Sequence, residues 1–240
     1  EEEADVPLRS ANTTYKKDGS QFVKPYTIVE RDGIKFGILG LTTPMIPRWD
    51  GEKVDDLAFG HMGEVAAKYA KELKEKEGCD IVIALAHAGW VPEYDEENKS
   101  DGAISVAEMA PDVDVMIIGH AHITFSQENG PDEIVVGAPR NNGREVVVID
   151  LVVDDSGEDV KILDKSVEIV LMDDVKPDAK LREATKDGHQ AALEFINGGG
   201  AAMGEIMKGQ ATPGVFGVAT ANFQPENEIK DIPEGKLQDT

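Results

Sequence analysis

The sequence predicts an α/β chain with mixed sheets flanked by helices, and three features of the residue pattern lead there. Asp80 to Ala86 (DIVIALA) and Val113 to Ile118 (VDVMII) are almost unbroken apolar runs of strand length, the kind that suits parallel strands covered on both faces. A helical pattern precedes the first run and another separates the two, the alternation that builds a parallel sheet. Alternating runs after Glu133 add further strands, expected to be antiparallel.

Taken in order, Tyr26 to Glu30 and Ile34 to Leu41 (IKFGILGL) are strand-like and separated by Asp32-Gly33, so they predict a hairpin. After a Pro-punctuated loop, Met62, Val65, Ala66, Tyr69, Ala70 and Leu73 recur at three- and four-residue spacing with Lys and Glu between, and Gly78 stops this amphipathic helix. The strand DIVIALA follows, then a helix from Gly102 to Ala110, then the strand VDVMII. Glu133 to Gly137 and Arg144 to Val153 read as strands, a turn spans Asp154 to Gly157, and Val160 to Met172 alternates again.

A last helix is expected from Asp178 to Ile196, broken by Gly198, Gly199 and Gly200, and residues beyond about Gly209 have linker composition. The expected division is a domain over residues 1–196 and a linker over 197–240. The glycines at 198, 200 and 204 follow a helix where a dinucleotide fingerprint would follow a strand, so a Rossmann reading is rejected.

With 240 residues and 40% hydrophobic content the chain can build a core without staples. Its 47 acidic against 24 basic residues give a formal charge of −23, a field that favours cations and excludes a nucleic-acid polymer as partner. The single Cys79 precludes an internal disulfide and, preceding an apolar run, reads as a small buried hydrophobe. No apolar run approaches the roughly 20 residues of a membrane span, so no transmembrane segment is expected. The acidic start Glu1-Glu2-Glu3 is unlike the basic first region of a signal peptide, so the chain is expected to be soluble, or already processed or trimmed.

Three of the five histidines, His87, His120 and His122, fall just past the carboxyl ends of the two expected parallel strands, the edge where open α/β sheets bind ligands. Neutral imidazole is the commonest side-chain ligand of transition metals, and the small Gly119 and Ala121 let the backbone turn tightly under an ion. Histidines two apart can point to opposite sides of a loop and reach different ions. A single loop histidine is more often merely hydrogen-bonded, but three at one sheet edge reverse that preference and make all three candidate metal ligands. His61, at a helix start, and His189, within a helix, have no such companions and read as structural or surface residues. Trp49 and Trp90 lie in loops at the same edge, where aromatic packing is the favoured role.

Five segments together resemble the calcineurin-like metallophosphoesterases, and within them the family of 5′-nucleotidases and 2′,3′-cyclic-nucleotide 2′-phosphodiesterases. They are Val6 to Asn12 (VPLRSAN), Gly33 to Pro47 (GIKFGILGLTTPMIP), Asp80 to Gly89 (DIVIALAHAG), Val113 to His122 (VDVMIIGHAH) and the ending PENEIKDIPEGKLQDT. The resemblance implies an incomplete metallophosphoesterase fold, an α+β sandwich of the four-layer type. It also implies two divalent ions, Zn, Mn or Co, with His87 and His120 on one and His122 on the other. Such a pair clamps a phosphate and supplies a hydroxide nucleophile near neutral pH.

The family's Asp-x-His, bridging Asp and Asn-His motifs precede the VPLRSAN-like strand, where this chain has only EEEAD. In the family the QDT-like ending leads into a second domain that stacks on the nucleotide base. The expectation is therefore a fragment of a longer, exported phosphoesterase (periplasmic, cell-wall or extracellular) acting on a nucleotide or other phosphate ester, with this chain alone inactive. The alternative is a non-catalytic acidic cell-surface or binding module with a residual single-cation site. A structural zinc site ranks last, because it asks for four closed ligands.

Overall fold

The computed structural model describes residues 7–128, 133–157 and 159–206. Its first strand, β1 (Thr13–Tyr15), is too short for periodicity to reveal. β2 (Tyr26–Arg31) and β3 (Ile34–Thr42) form the expected hairpin, with Arg31 opposite Ile34. Asp32 and Gly33 turn it with φ of 51° and 85°, the positive values a two-residue hairpin loop requires. A one-turn helix, α1 (Pro47–Asp50), and a 3-10 turn (Gly51–Val54) fill the Pro-punctuated loop, and β4 (Leu57–Phe59) returns to pair antiparallel with β1.

The amphipathic pattern becomes α2 (Met62–Glu75), followed by β5 (Ile81–His87), α3 (Ile104–Met109) and β6 (Val115–Ile118). β7 (Phe125–Gln127), β8 (Val135–Ala138), β9 (Glu145–Asp154) and β10 (Lys161–Leu171) complete the strands. One six-stranded sheet runs β2-β3-β5-β6-β8-β7. β3, β5, β6 and β8 are mutually parallel, and β2 and β7 are antiparallel edges.

Two expectations about the later strands need correction. β8, read as part of an antiparallel section, is antiparallel to β7 but parallel to β6, and β9 and β10 pair antiparallel as expected but as a ribbon of their own instead of extending the sheet. The ribbon packs across the sheet: a Cβ added to Gly137 would stand 2.4 Å from Val147 Cγ1, so only glycine lets the two approach.

The pairing register puts Leu39, Ala84, Met116 and Val136 in one row across β3, β5, β6 and β8. All four are fully buried with Met62, Ala66, Ala70 and Leu73 of α2 and Val106 of α3. Burying a side chain the size of Leu73 contributes roughly 1.5–3 kcal/mol, so this row fixes the sheet on its helices. Cys79 joins the same core, as its position before β5 suggested.

Among the described residues, those up to Asp174 form one unit and those from Val175 another. The second contains α4 (Ala179–Ile206), whose start is capped where the sequence placed it: Asp178 Oδ1 accepts from the amides of Lys180 and Leu181 at 2.8 and 2.9 Å. The helix continues through Gly198–Gly200, where the sequence suggested an end; the strong helix formers Ala201, Ala202, Met203 and Glu205 follow at once and offset the glycines. The expected linker over residues 197–240 is helical as far as Ile206, and its remainder, with the PENEIKDIPEGKLQDT ending, lies outside the described residues, as do Glu1 to Val6. Among the described residues no helix is long and apolar enough to cross a membrane.

Candidate metal centre

β5 and β6 are parallel neighbours, so the segments leaving their carboxyl ends emerge side by side. His87 is the last residue of β5, and Gly119 and His120 follow the last residue of β6. His120 and His122 both hold positive φ, 81° and 56°. For residues with a Cβ this conformation is uncommon and is kept only where the surroundings enforce it. The loop so bent brings His120 Nδ1 to 3.2 Å from His87 Nε2, with the rings at 62° to each other.

Two nitrogens each about 2.0–2.1 Å from one ion at a tetrahedral angle lie about 3.3 Å apart. The His87–His120 separation therefore fits two ligands converging on one cation as well as it fits a hydrogen bond. Burial, with His120 and His122 close by, pushes the His87 imidazole below its ordinary pKa and keeps it in the neutral, metal-binding form. Among the described residues no group of three or more His, Cys, Asp or Glu side chains is arranged to hold a metal ion. His122 Nδ1 lies 3.4 Å from Asn141 Nδ2.

The far side of His120 is fixed by residues that sequence reading missed. Glu93 Oε2 lies 3.4 Å from His120 Nε2, opposite the nitrogen that faces His87. Such a carboxylate orients a ligating imidazole and selects its tautomer. Glu93 itself sits on a loop pinned by Asp101, only 3% exposed, whose carboxylate accepts from the amides of Glu93, Tyr94 and Asp95 at 3.1, 2.8 and 3.3 Å. Glu145 ties together the segments that carry His122 and Asn141: it accepts from Thr124 Oγ1 at 2.7 Å and from the Arg140 amide at 2.9 Å. The Thr124 hydroxyl, then the Arg140 amide, hold the Glu145 carboxyl below its ordinary pKa. Single acidic residues in loops carry no periodic signal, and only a count of acceptors against loop amides would have pointed to them.

On the β3 side, the amide of Thr43 donates to the His87 carbonyl at 3.0 Å, and Asn12 clamps Thr42 through both backbone groups. A cavity of about 600 Å³ opens beside His87, lined by Leu8, Tyr15, Phe22, Leu41 and Phe59 with Arg9 and Thr42. The two tryptophans part company. Trp90 stacks on Phe125 at 5.0 Å and 22°, whereas Trp49, read as a packing residue, stands against His120 with ring centroids 5.1 Å apart. His61 caps α2: its Nδ1 accepts from the Gly63 amide at 3.1 Å and its Nε2 meets the Asn98 carbonyl at 2.9 Å, so it is structural as expected. His189 lies in α4, in the other unit.

No family model matches the chain. A 5′-nucleotidase of Vibrio cholerae is 31% identical over 132 residues, covering 54% of this chain and 24% of that protein. A 2′,3′-cyclic-nucleotide 2′-phosphodiesterase/3′-nucleotidase of Salmonella typhimurium is 26% identical over 223 residues, covering 81% of this chain and 34% of that protein. Among solved structures, the calcineurin-like phosphoesterase YfkN from Bacillus subtilis superimposes with a TM-score of 0.71 at 24% identity, over 81% of this chain and 65% of that one. A 5′-nucleotidase precursor from Thermus thermophilus gives 0.59 at 21% identity, over 80% and 39%. The homologues of this chain are thus nucleotide phosphoesterases, and its fold is that of calcineurin-like phosphoesterases. The chain spans 24% and 34% of the length of the two curated relatives.

Proposed function

We propose that this chain is part of a metal-dependent phosphoesterase, exported from the cytoplasm, that hydrolyses phosphate esters of nucleotides. In this reading the partial catalytic domain lies within residues 1–196 and the linker lies within 197–240. His87 and His120 hold one divalent cation and His122 contributes to a second. The carrying observation is the pair of imidazole nitrogens facing each other 3.2 Å apart at the carboxyl edge of two parallel strands.

When bound, such cations supply Lewis-acid charge for a phosphoryl oxygen and a nucleophile at neutral pH. The protein's own residues prepare the place. Burial lowers the His87 pKa and so favours the neutral imidazole, the form that can offer a ring nitrogen to a cation. Glu93 Oε2, 3.4 Å from His120 Nε2, favours a proton on that nitrogen and so favours Nδ1 as the atom offered toward His87. With a formal charge of −23 the surface repels phosphate, and local cations are what invert that repulsion at the site.

The test is the metal content of the purified chain after loading with Mn²⁺ or Zn²⁺ and desalting, beside a His87→Ala/His120→Ala variant. Retained metal that the variant loses is the expected result, and equal content in both would overturn the assignment. A longer chain should then hydrolyse nucleotide esters in a metal-dependent way. The absence of a third ligand among the described residues favours a second reading, a binding module with a single cation. One ion per chain, with no hydrolysis by the longer protein, would select it.

A further inference from the structure

We propose that the exposed indole of Trp49 is a stacking surface for a planar ring carried by the phosphate-ester ligand, so that this chain itself helps select the nucleoside part. The proposal rests on the phosphoesterase reading above and deepens it. Pro47 starts the one-turn helix α1 directly after the loop that leaves β3, and that turn carries Trp49 back over the sheet's carboxyl edge. There the indole meets His120 at 66° with centroids 5.1 Å apart, and Tyr94 at 63° with centroids 6.0 Å apart.

Both contacts are edge-on, so neither neighbour stacks on the indole, which remains 48% exposed. Trp90 shows the contrast, since its ring is already stacked on Phe125. Leaving half of the largest apolar side chain in water forgoes burial that folding ordinarily takes, and here this happens beside the two facing imidazoles.

The neighbours of Trp49 are themselves held. Tyr94 is anchored through its amide to the buried Asp101 carboxylate at 2.8 Å, and the Arg48 guanidinium lies 4.1 Å from the Tyr94 ring centroid. The result is a fixed aromatic and cationic wall bordering the candidate metal centre. A π-face suits the electrostatics: a ring can be recognised by stacking and dispersion on a surface whose net charge repels anions.

The experiment is calorimetric titration of the Mn²⁺-loaded chain with adenosine 5′-monophosphate and with ribose 5-phosphate, which share a phosphate and differ in the ring. One stacked base on an aromatic side chain predicts adenosine 5′-monophosphate to bind tighter by about fivefold to a hundredfold. Trp49→Leu should bring the ratio close to one while the chain keeps its Mn²⁺, and Trp49→Phe should retain part of the preference. A ratio near one in the wild type, a ratio unchanged in Trp49→Leu, or no binding of either ligand by a chain that holds Mn²⁺ would overturn the proposal. If the chain holds no Mn²⁺ the metal reading fails separately. Adenosine alone then decides the stacking surface: quenching of indole emission present in the wild type and absent in Trp49→Leu supports it, and no quenching overturns it.

Discussion

Replacing Asn12 by alanine tests whether the β3 side of the candidate site is held by one buried amide. Asn12 is 2% exposed, its Nδ2 donates to the carbonyls of Thr42 and Gly60 at 2.6 and 2.9 Å, and its Oδ1 accepts from the Thr42 amide at 3.0 Å. Truncation removes all three bonds and leaves buried backbone groups unpaired. At about 1 kcal/mol net per bond the loss is about 3 kcal/mol, rising toward about 5 kcal/mol if the freed groups find no water. With a urea dependence of about 2 kcal/mol per molar for a unit of this size, the midpoint should fall by about 1.5 M. Tryptophan emission during urea unfolding reads this directly, because Trp49 and Trp90 both lie in the unit spanning residues 1–174. Since Thr42 pairs with His87 across the β3–β5 ladder, the variant should also retain less metal. Asn12→Asp keeps one acceptor but turns a charged oxygen toward two carbonyls, and should be no better than alanine. A midpoint shift below about 0.3 M for Asn12→Ala would show that the clamp contributes little to stability.

Gly137→Ala pushes a Cβ to 2.4 Å from Val147 Cγ1, an overpacking expected to cost about 1–3 kcal/mol. A thermal melt should show the loss, and Val147→Ala in the same chain should recover part of it; no recovery would mean the ribbon does not seat on Gly137. Glu145 has a pKa lowered by the Thr124 hydroxyl and the Arg140 amide, so its stabilisation is present above the ordinary carboxylate range and is lost as pH falls through the lowered folded value. Glu145→Gln should therefore be less stable than the wild type at pH 7, with the gap closing in acid. A gap independent of pH would contradict that sign.

The long-period features were legible in the sequence because their signals are local. β3, β5 and β6 are apolar runs, α2 repeats its apolar residues at three- and four-residue spacing, and Asp32-Gly33 announces the hairpin. Placing His87, His120 and His122 at one sheet edge needed only strand ends and the rule that parallel strands present their carboxyl ends together. The three-residue strands β1, β4 and β7 carry too little periodicity to show. The parallel pairing of β8 with β6 was missed because neighbouring partners in a sheet are chosen by packing, not by the pattern of one strand.

What only the tertiary structure decided is long-range and polar. His120 and His122 are two residues apart and chemically identical, and the family resemblance alone paired His120 with His87. The β5–β6 adjacency and the positive φ at both histidines turn His120 toward His87 and leave His122 beside Asn141. Trp49 and Trp90 looked equivalent, yet one is stacked on Phe125 and the other stands half-exposed against His120. Asn12, Asp101 and Glu145 owe their roles to backbone amides and carbonyls that folding brings within reach, several of them from distant parts of the chain. Hydrophobic periodicity records which face of an element leaves water, and so the sequence determines the layers. A hydrogen bond depends on angle and distance between particular atoms, and those exist only once the layers have packed.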